Sequence, residues 1–176
     1  MPYLSEPIIF LLEYNIILQK ANSKKDIILS FFKKLKLLKS KELDPLFHEA
    51  HHEAFKKIDC LMCANCCKTT SPIILQEDIT RISKYLKTSS GNFIKEFVEM
   101  DEDGDFVFKQ TPCFFLGSDN ACKIYDVRPK ACSEYPHTNR KRMKEILDIT
   151  YHNTFICPAV ALVVEKLEKG NFKTTP

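Results

Sequence analysis

Glycine is scarce in this sequence, with four residues in 176, and this scarcity excludes the common nucleotide-binding motifs. The GxGxxG fingerprint and the phosphate-binding P-loop each need several glycines within a few positions, and neither pattern occurs. The GxSxG motif of serine hydrolases is also absent. The sequence therefore gives no indication of nucleotide binding or of serine-based hydrolysis by these motifs.

An excess of charge of one sign is also missing. The chain has 26 Lys and Arg against 23 Asp and Glu, which leaves a net charge of +3. Binding to nucleic acid by bulk charge requires a clear basic surplus. We therefore expect no nucleic-acid partner, and we interpret the local lysine run around Lys33 as the solvated face of a helix.

The sequence has no long uninterrupted hydrophobic run. Its apolar N-terminal stretch contains Glu13, follows Glu6 and has no basic residue before it, so it does not fit a secretory signal. It is also shorter than the roughly 20 apolar residues that span a bilayer. We expect a buried or amphipathic helix, no membrane span and a cytoplasmic protein, in which clustered cysteines more often bind metal than form disulfides.

Apolar periodicity predicts helices over most of the chain. Ile27, Ile28, Phe31, Phe32, Leu35 and Leu38 recur at helical spacing, and Asp44 followed by Pro45 predicts a helix start that runs to about Lys57. Further helices are predicted at 77–87, 92–100, 140–151 and 158–170, and the sequence DEDGD predicts a turn into a short strand at FVF.

Two segments rich in cysteine show neither helical nor strand periodicity, at 58–70 and at 111–136. The predicted fold is therefore mainly α (α+β), with helices around two cysteine-rich metal-binding loops and at most a small β-hairpin. We divide the chain into an N-terminal helical segment, 1–57, and a cysteine-cluster metal-binding domain, 58–170.

Eight cysteines are the main chemical feature of the sequence. A CxxC turn lets two thiolates converge on one ion or cluster, so the clustering predicts metal ligands. Buried free cysteines and disulfides are the alternatives, and the clustering and the expected reducing compartment disfavour both. The candidate ligands, four in a CxxCxxCC run and four that follow singly, are Cys60, Cys63, Cys66, Cys67, Cys113, Cys122, Cys132 and Cys157.

The adjacency of Cys66 and Cys67 suggests two centres. Side chains of successive residues in an extended chain point to opposite sides, which makes joint binding of one ion awkward. Our hypothesis assigns Cys60, Cys63, Cys66 and Cys157 to a first centre and Cys67, Cys113, Cys122 and Cys132 to a second. A CxxCxxC run with a remote Cys-Pro pair, here Cys157-Pro158, resembles bacterial ferredoxins and favours an iron–sulfur cluster, of the 4Fe-4S type, over zinc. All-thiolate ligation suits both, so both remain open.

Arg128 and an HExxH pattern are two further features of the sequence. Arg128 has two readings, as a residue beside the metal ligands that offsets their negative charge and as a structural arginine anchored next to Pro129. His48, Glu49 and His52 match the HExxH pattern of zinc proteases. Because no third zinc ligand follows in the usual extension of that motif, we interpret the match as accidental.

The segments DCLMCANCC, PCFFLGSDNACKIYDVRPKACSEYP and ICP, in this order, resemble the bacterial CxxCxxCC family of zinc- or iron-chelating proteins from Ile58 to Pro158. The resemblance implies that the eight cysteines are the chelating positions, and its IYDVRP stretch singles out Tyr125, Arg128 and Pro129. A related motif in the larger flagellin lysine N-methylases implies an iron–sulfur cluster and methyl transfer. Three functions remain open: a metal-binding protein, an electron-transfer or redox protein, and a methyltransferase-like modification enzyme.

Overall fold

The structure, a computed structural model, describes residues 6–170, with side chains from residue 10 onward. Short 3-10 turns occur at Tyr125–Val127 and Met143–Ile146, and strands β1 (Val98–Met100) and β2 (Phe106–Phe108) form a hairpin. The remaining elements are helices: α1 (Glu6–Asn22), α2 (Lys25–Leu35), α3 (Ser40–Phe55), α4 (Cys60–Cys63), α5 (Asn65–Thr69), α6 (Gln76–Tyr85), α7 (Ser90–Phe97), α8 (Lys130–Glu134), α9 (Leu147–Asn153) and α10 (Pro158–Lys169). The predicted mainly helical class with a small β-hairpin is confirmed.

The chain forms two compact units. The first comprises Met1–Cys63 and Pro136–Pro176, and the second comprises Ala64–Tyr135. The first unit is therefore built from both ends of the chain. The sequence-based division at residue 57 stays a prediction.

In the first unit, the apolar positions of three helices form the core. Packing of α10 against α3 and α1, and of α2 against α9 and α1, buries these side chains. Each large one contributes roughly 1.5–3 kcal/mol by leaving water. The aromatic ring of Phe32 also meets that of Tyr151 edge-on, at 5.5 Å between centroids. The buried positions at helical spacing are Ile28, Phe32 and Leu35 of α2, Leu43, Phe47, Ala50 and Ala54 of α3, and Val160, Val163, Val164 and Leu167 of α10.

The predicted start of the third helix at Asp44 is wrong. Helix α3 begins at Ser40, because the Glu42 carboxylate accepts the Lys39 backbone N–H at 3.0 Å and so satisfies a donor at the helix N-terminus. Asp44 has a tertiary role instead. Its two carboxylate oxygens accept the backbone N–H groups of Arg142 and Met143 at 2.8 and 2.9 Å.

Within residues 6–170, no single helix is long and apolar enough to cross a membrane. The segment Met143–Asn153 and helix α10 reach the length and hydropathy of a span only as a pair bent by 117°. Most residues of α10 are buried in the first unit.

In the second unit, α6 and α7 pack together and lead into the β-hairpin. β1 and β2 are antiparallel, with Val98 opposite Phe108, and the Asp101 carboxylate accepts two backbone N–H groups of the connecting turn. The predicted hairpin turn is confirmed. The predicted continuation of the preceding helix to Met100 is wrong, because residues 98–100 pair with β2 instead.

The core of the second unit is formed by eight buried side chains. Cys113 and Cys122 pack against this core, which places two candidate ligands at its edge. The cysteine segments also contain more helix than predicted, in the short helices α4, α5 and α8. The core residues are Ile74, Ile79, Ile82, Phe93, Val98, Phe108, Phe115 and Ile124.

Candidate metal centres

Three cysteines lie together in the first unit, and we call Cys60, Cys63 and Cys157 the first cysteine set. Cys60 and Cys63 are the end residues of α4, and Cys157 directly precedes α10. The hydroxyl of buried Tyr14 accepts the Asp59 backbone N–H at 3.0 Å and so fixes the start of α4. Cys60 is exposed, whereas Cys63 and Cys157 are buried.

The thiol of Cys157 is buried at the N-terminus of α10. Its sulfur accepts the backbone N–H groups of Val160 and Ala159 in the first turn of α10. Burial nevertheless raises the pKa of Cys157 to about 12, and the sulfurs of Cys60 and Cys63 raise it further. The three thiols are therefore close enough that negative charge on one disfavours charge on the others.

Four cysteines of the second unit form the second cysteine set: Cys67 of α5, Cys113, Cys122, and Cys132 of α8. Backbone hydrogen bonds bring three of them together. The Cys113 N–H donates to the Cys67 carbonyl at 2.8 Å, and Cys122 forms an antiparallel bridge with Leu116.

The turn between Cys113 and Cys122 brings the second of these ligands back to the core. The Asp119 carboxylate accepts the Ala121 N–H at 3.0 Å, and the Gly117 N–H donates to the Ala121 carbonyl at 2.7 Å. Asn120 adopts a left-handed conformation with φ of 65°, which asparagine tolerates better than most residues. These hydrogen bonds close a tight turn at Asp119-Asn120.

The sulfurs of Cys113 and Cys122 also accept backbone N–H groups. Phe115 and Leu116 donate to Cys113, and Ile124 donates to Cys122. Burial raises the pKa of both thiols in spite of these hydrogen bonds. N–H donation to thiolate sulfur is one of the ways in which proteins tune iron–sulfur clusters.

Cys132 and Cys67 complete the second set with opposite pKa shifts. Burial raises the pKa of Cys132 to about 12, and the sulfurs of Cys67, Cys113 and Cys122 add to this effect. A hydrogen bond from Cys66 lowers the pKa of Cys67 to about 7, against the effect of burial. The second set therefore contains one thiol that ionises near neutral pH and three that resist ionisation.

The premise used to separate Cys66 from Cys67 is wrong. The two residues are successive positions of helix α5, not of an extended chain, and the Cys66 thiol donates a hydrogen bond to Cys67. Side chains of successive helical residues are about 100° apart, so the two thiols can face one region. Cys66 belongs to the second unit, and its assignment to the first centre stays a prediction.

Arg128 lies beside the second cysteine set. Its guanidinium stacks on the Tyr125 ring at 3.9 Å from the centroid, and its Nη1 donates to the Tyr125 carbonyl at 2.6 Å. The positive charge of Arg128 lowers the pKa of Cys122 and Cys132, although the effect of burial outweighs it. These contacts support a role for Arg128 next to the ligands, which stays a prediction.

Sequence reasoning missed two residues next to the second set, Asp78 and Arg81 of α6. Asp78 is only 1% exposed and accepts the backbone N–H of Lys130, the first residue of α8, at 3.1 Å. Arg81 donates to the carbonyl of Arg128 at 2.8 Å. The only signal in the sequence is that Asp78 is the second residue of the helix predicted at 77–87, which indicates a helix start and not this tertiary contact.

The HExxH residues are held by contacts unrelated to zinc. His48 Nε2 hydrogen-bonds to the Arg140 carbonyl at 2.9 Å, and Glu49 pairs with Lys166 at 2.9 Å. Burial and the neighbouring His52 and His48 lower the pKa of His51. These contacts agree with an accidental match.

The donor chemistry of both sets fits zinc or an iron–sulfur cluster, because thiolates are soft ligands that suit these metals. All eight cysteines lie in the described part of the chain, as thiols and not as disulfides. Over residues 6–170, no group of three or more His, Cys, Asp or Glu side chains has the spacing of a formed metal site. The thiols are thus close enough to interact electrostatically without converging on one point.

Comparison with known proteins gives the family. The sequence profile of the CxxCxxCC family, described as "Putative zinc- or iron-chelating domain", matches residues 59–154. This range exceeds half of the chain and contains seven of the eight cysteines, and Cys157 follows three residues later. No curated protein and no solved structure matches the chain. The chain is therefore a member of the CxxCxxCC family, as its ordered cysteine motifs indicated.

Proposed function

We propose that this protein is a metal-chelating protein with two thiolate centres, one built on each cysteine set. The observation that carries the proposal is the second set, because backbone contacts bring four thiols from two separate segments, 58–70 and 111–136, close enough to interact electrostatically. Four thiolates at these positions would repel one another if no cation were bound between them. A bound cation or cluster would offset them, and the energy of binding would stabilise the fold.

The N–H groups directed at the sulfurs support the same proposal. Cys113, Cys122 and Cys157 each accept at least one backbone N–H. These donors favour the thiolate, which is the form that binds metal, over the thiol. A buried cysteine that served only as a small apolar side chain would not need them.

The kind of metal is proposed from the ligand pattern. The CxxCxxC run and the Cys157-Pro158 pair support an iron–sulfur cluster of the 4Fe-4S type, and zinc is the alternative. An iron–sulfur cluster would also allow electron transfer. The exposure of Cys60 in the first set favours this second function, because a cluster there would be accessible to a redox partner.

Anaerobic purification followed by iron, sulfide and zinc analysis tests the proposal directly. We expect Cys132→Ser to lose the second centre, Cys157→Ser to lose the first, and the double variant to lose both. Ser133→Ala is the matched control, because Ser133 neighbours Cys132 on α8 and its hydroxyl donates to a backbone carbonyl. A wild-type protein without bound metal, or loss of one and the same centre from both single variants, would contradict the proposal.

Cys66 requires its own test. The two-centre hypothesis expects Cys66→Ala to reduce the first centre and Cys67→Ala to reduce the second. If both variants lose the same centre, the sequence-based assignment of Cys66 is wrong and Cys66 acts with Cys67, to which it is hydrogen-bonded.

A further inference from the structure

Helix α8, which carries Cys132, is too short to be stable by itself. It has five residues, Lys130–Glu134, whereas isolated helices below ~12–15 residues are marginal in water. Its position and its helical conformation therefore depend on contacts with the rest of the second unit. Two side chains of α6 contact the backbone at its N-terminus.

Asp78 supplies the first contact. One carboxylate oxygen, Oδ2, accepts the Leu75 N–H at 3.0 Å and closes the start of α6 in the usual way. The other oxygen, Oδ1, accepts the Lys130 N–H at 3.1 Å, from a residue 52 positions further along the chain. This carboxylate is 99% buried, and burying a charge is costly unless both of its oxygens accept hydrogen bonds. Asp78 meets this condition only by joining the N-termini of α6 and α8, so its role extends beyond its own helix.

Arg81 supplies the second contact. Its Nη2 donates both to Asp78 Oδ1 at 2.5 Å and to the Arg128 carbonyl at 2.8 Å. The two side chains thus hold the backbone on both sides of Pro129, which has no N–H of its own and a restricted φ. The backbone that leads into α8 is therefore held at the Arg128 carbonyl and at the Lys130 N–H.

We infer that Asp78 and Arg81 are positioning residues for the second metal centre, which hold the helix of Cys132 where its sulfur can join those of Cys67, Cys113 and Cys122. The inference rests on the proposed function. Neither residue touches the metal. They act through the backbone at Arg128 and Lys130, as residues around metal ligands commonly do, and loss of such a residue typically lowers metal affinity about 10–100-fold.

The test follows the protection of each cysteine from alkylation by mass spectrometry while zinc is added to the reduced, metal-free protein. In Asp78→Asn and in Arg81→Lys, we expect the zinc concentration that half-protects Cys132 to rise about 10–100-fold. Half-protection of Cys157, in the first set, should stay unchanged. In the absence of metal, Cys132 should be alkylated faster in both variants than in the wild type.

Glu77→Gln is the matched control, since Glu77 is the exposed carboxylate next to Asp78 on the same turn of α6. It should leave all half-protection values within about twofold, as expected for a surface substitution. A purely structural role for Asp78 and Arg81 predicts an equal loss at both cysteine sets, and that result would overturn the inference. So would unchanged protection of Cys132 in both variants.

Failure of the proposed function gives a different result, in which zinc protects no cysteine of the wild-type protein. If Asp78→Asn does not fold, as judged by circular dichroism, Arg81→Lys decides the question. Arg81→Lys keeps a positive charge beside Asp78 but lacks the planar fork that serves two acceptors. Wild-type affinity and wild-type alkylation of Cys132 in that variant would then overturn the inference.

Discussion

Metal binding by the second cysteine set should release protons, and the number can be worked out from the thiol pKa values. A metal binds thiolate, so each ligand that is protonated in the metal-free protein must lose its proton. We consider a variant in which Cys60, Cys63 and Cys157 are replaced by Ser. This variant keeps the four cysteines of the second set together with Cys66.

At pH 7 the four ligands of the second set differ in their starting state. Cys67, whose pKa is lowered to about 7, is partly ionised, whereas Cys113, Cys122 and Cys132 have raised pKa values and are protonated. Complete thiolate ligation should therefore release about three to four protons per metal ion. Because these protons compete with the metal, affinity should rise steeply with pH, by roughly three orders of magnitude per unit just above pH 7.

Isothermal titration calorimetry with zinc, in several buffers of different ionisation enthalpy at pH 7, measures this number. Further replacement of Cys132 by Ser should reduce it by about one. A value clearly above four would add Cys66 to the ligands, because one further thiol would then have lost its proton. Release of two protons or fewer would refute the assignment of four thiolate ligands to this set.

Four further outcomes are expected. Removal of metal by a chelator should increase protease cleavage within residues 58–136 first, because seven of the eight candidate ligands lie there, several of them in helices of only four or five residues, and mapping of the fragments by mass spectrometry checks this. Arg128→Gln should weaken metal binding by the second set about tenfold, measured by chelator competition, because the charge that favours the thiolates of Cys122 and Cys132 is lost. Glu49→Gln should leave the metal content unchanged, measured by elemental analysis, because Glu49 pairs with Lys166. Phe93→Ala should reduce the free energy of unfolding by about 3–5 kcal/mol in urea denaturation, because Phe93 is fully buried in the core of the second unit.

The sequence was sufficient for elements whose signal is local. The apolar spacing in α2 and α10 predicted helices, and Pro158 and Gly170 marked the ends of the last one. The hairpin turn between Asp101 and Asp105 was also predicted, because aspartate and glycine favour tight turns. In each case the residues that determine the element lie within it.

Features that depend on distant residues could not be predicted. Asp44 fits a helix start by its sequence context, but its partners are backbone groups near Met143. Residues 98–100 leave the helix because β2 offers them a strand partner. The short helices at the cysteines lack enough residues for a periodic pattern.

The candidate ligands were found from spacing alone, whereas their surroundings were not. Clustered cysteines are rare enough that their pattern indicates metal without any knowledge of the fold. The buried contact between Asp78 and Lys130 has no such pattern, because the two residues are 52 positions apart. Residues that position ligands through the backbone are therefore the part of this site that sequence alone does not identify.

Because the first unit combines segments that lie before and after the second unit in the chain, the two cysteine sets are completed at different times during synthesis. Cys60 and Cys157 are separated by 97 residues, whereas Cys67 and Cys132 are separated by 65 and lie in one continuous stretch. During synthesis at roughly 5–20 residues per second, the second set is complete before the last ligand of the first set has been translated. All four ligands of the proposed second centre are therefore synthesised before Cys157, the last ligand of the proposed first centre.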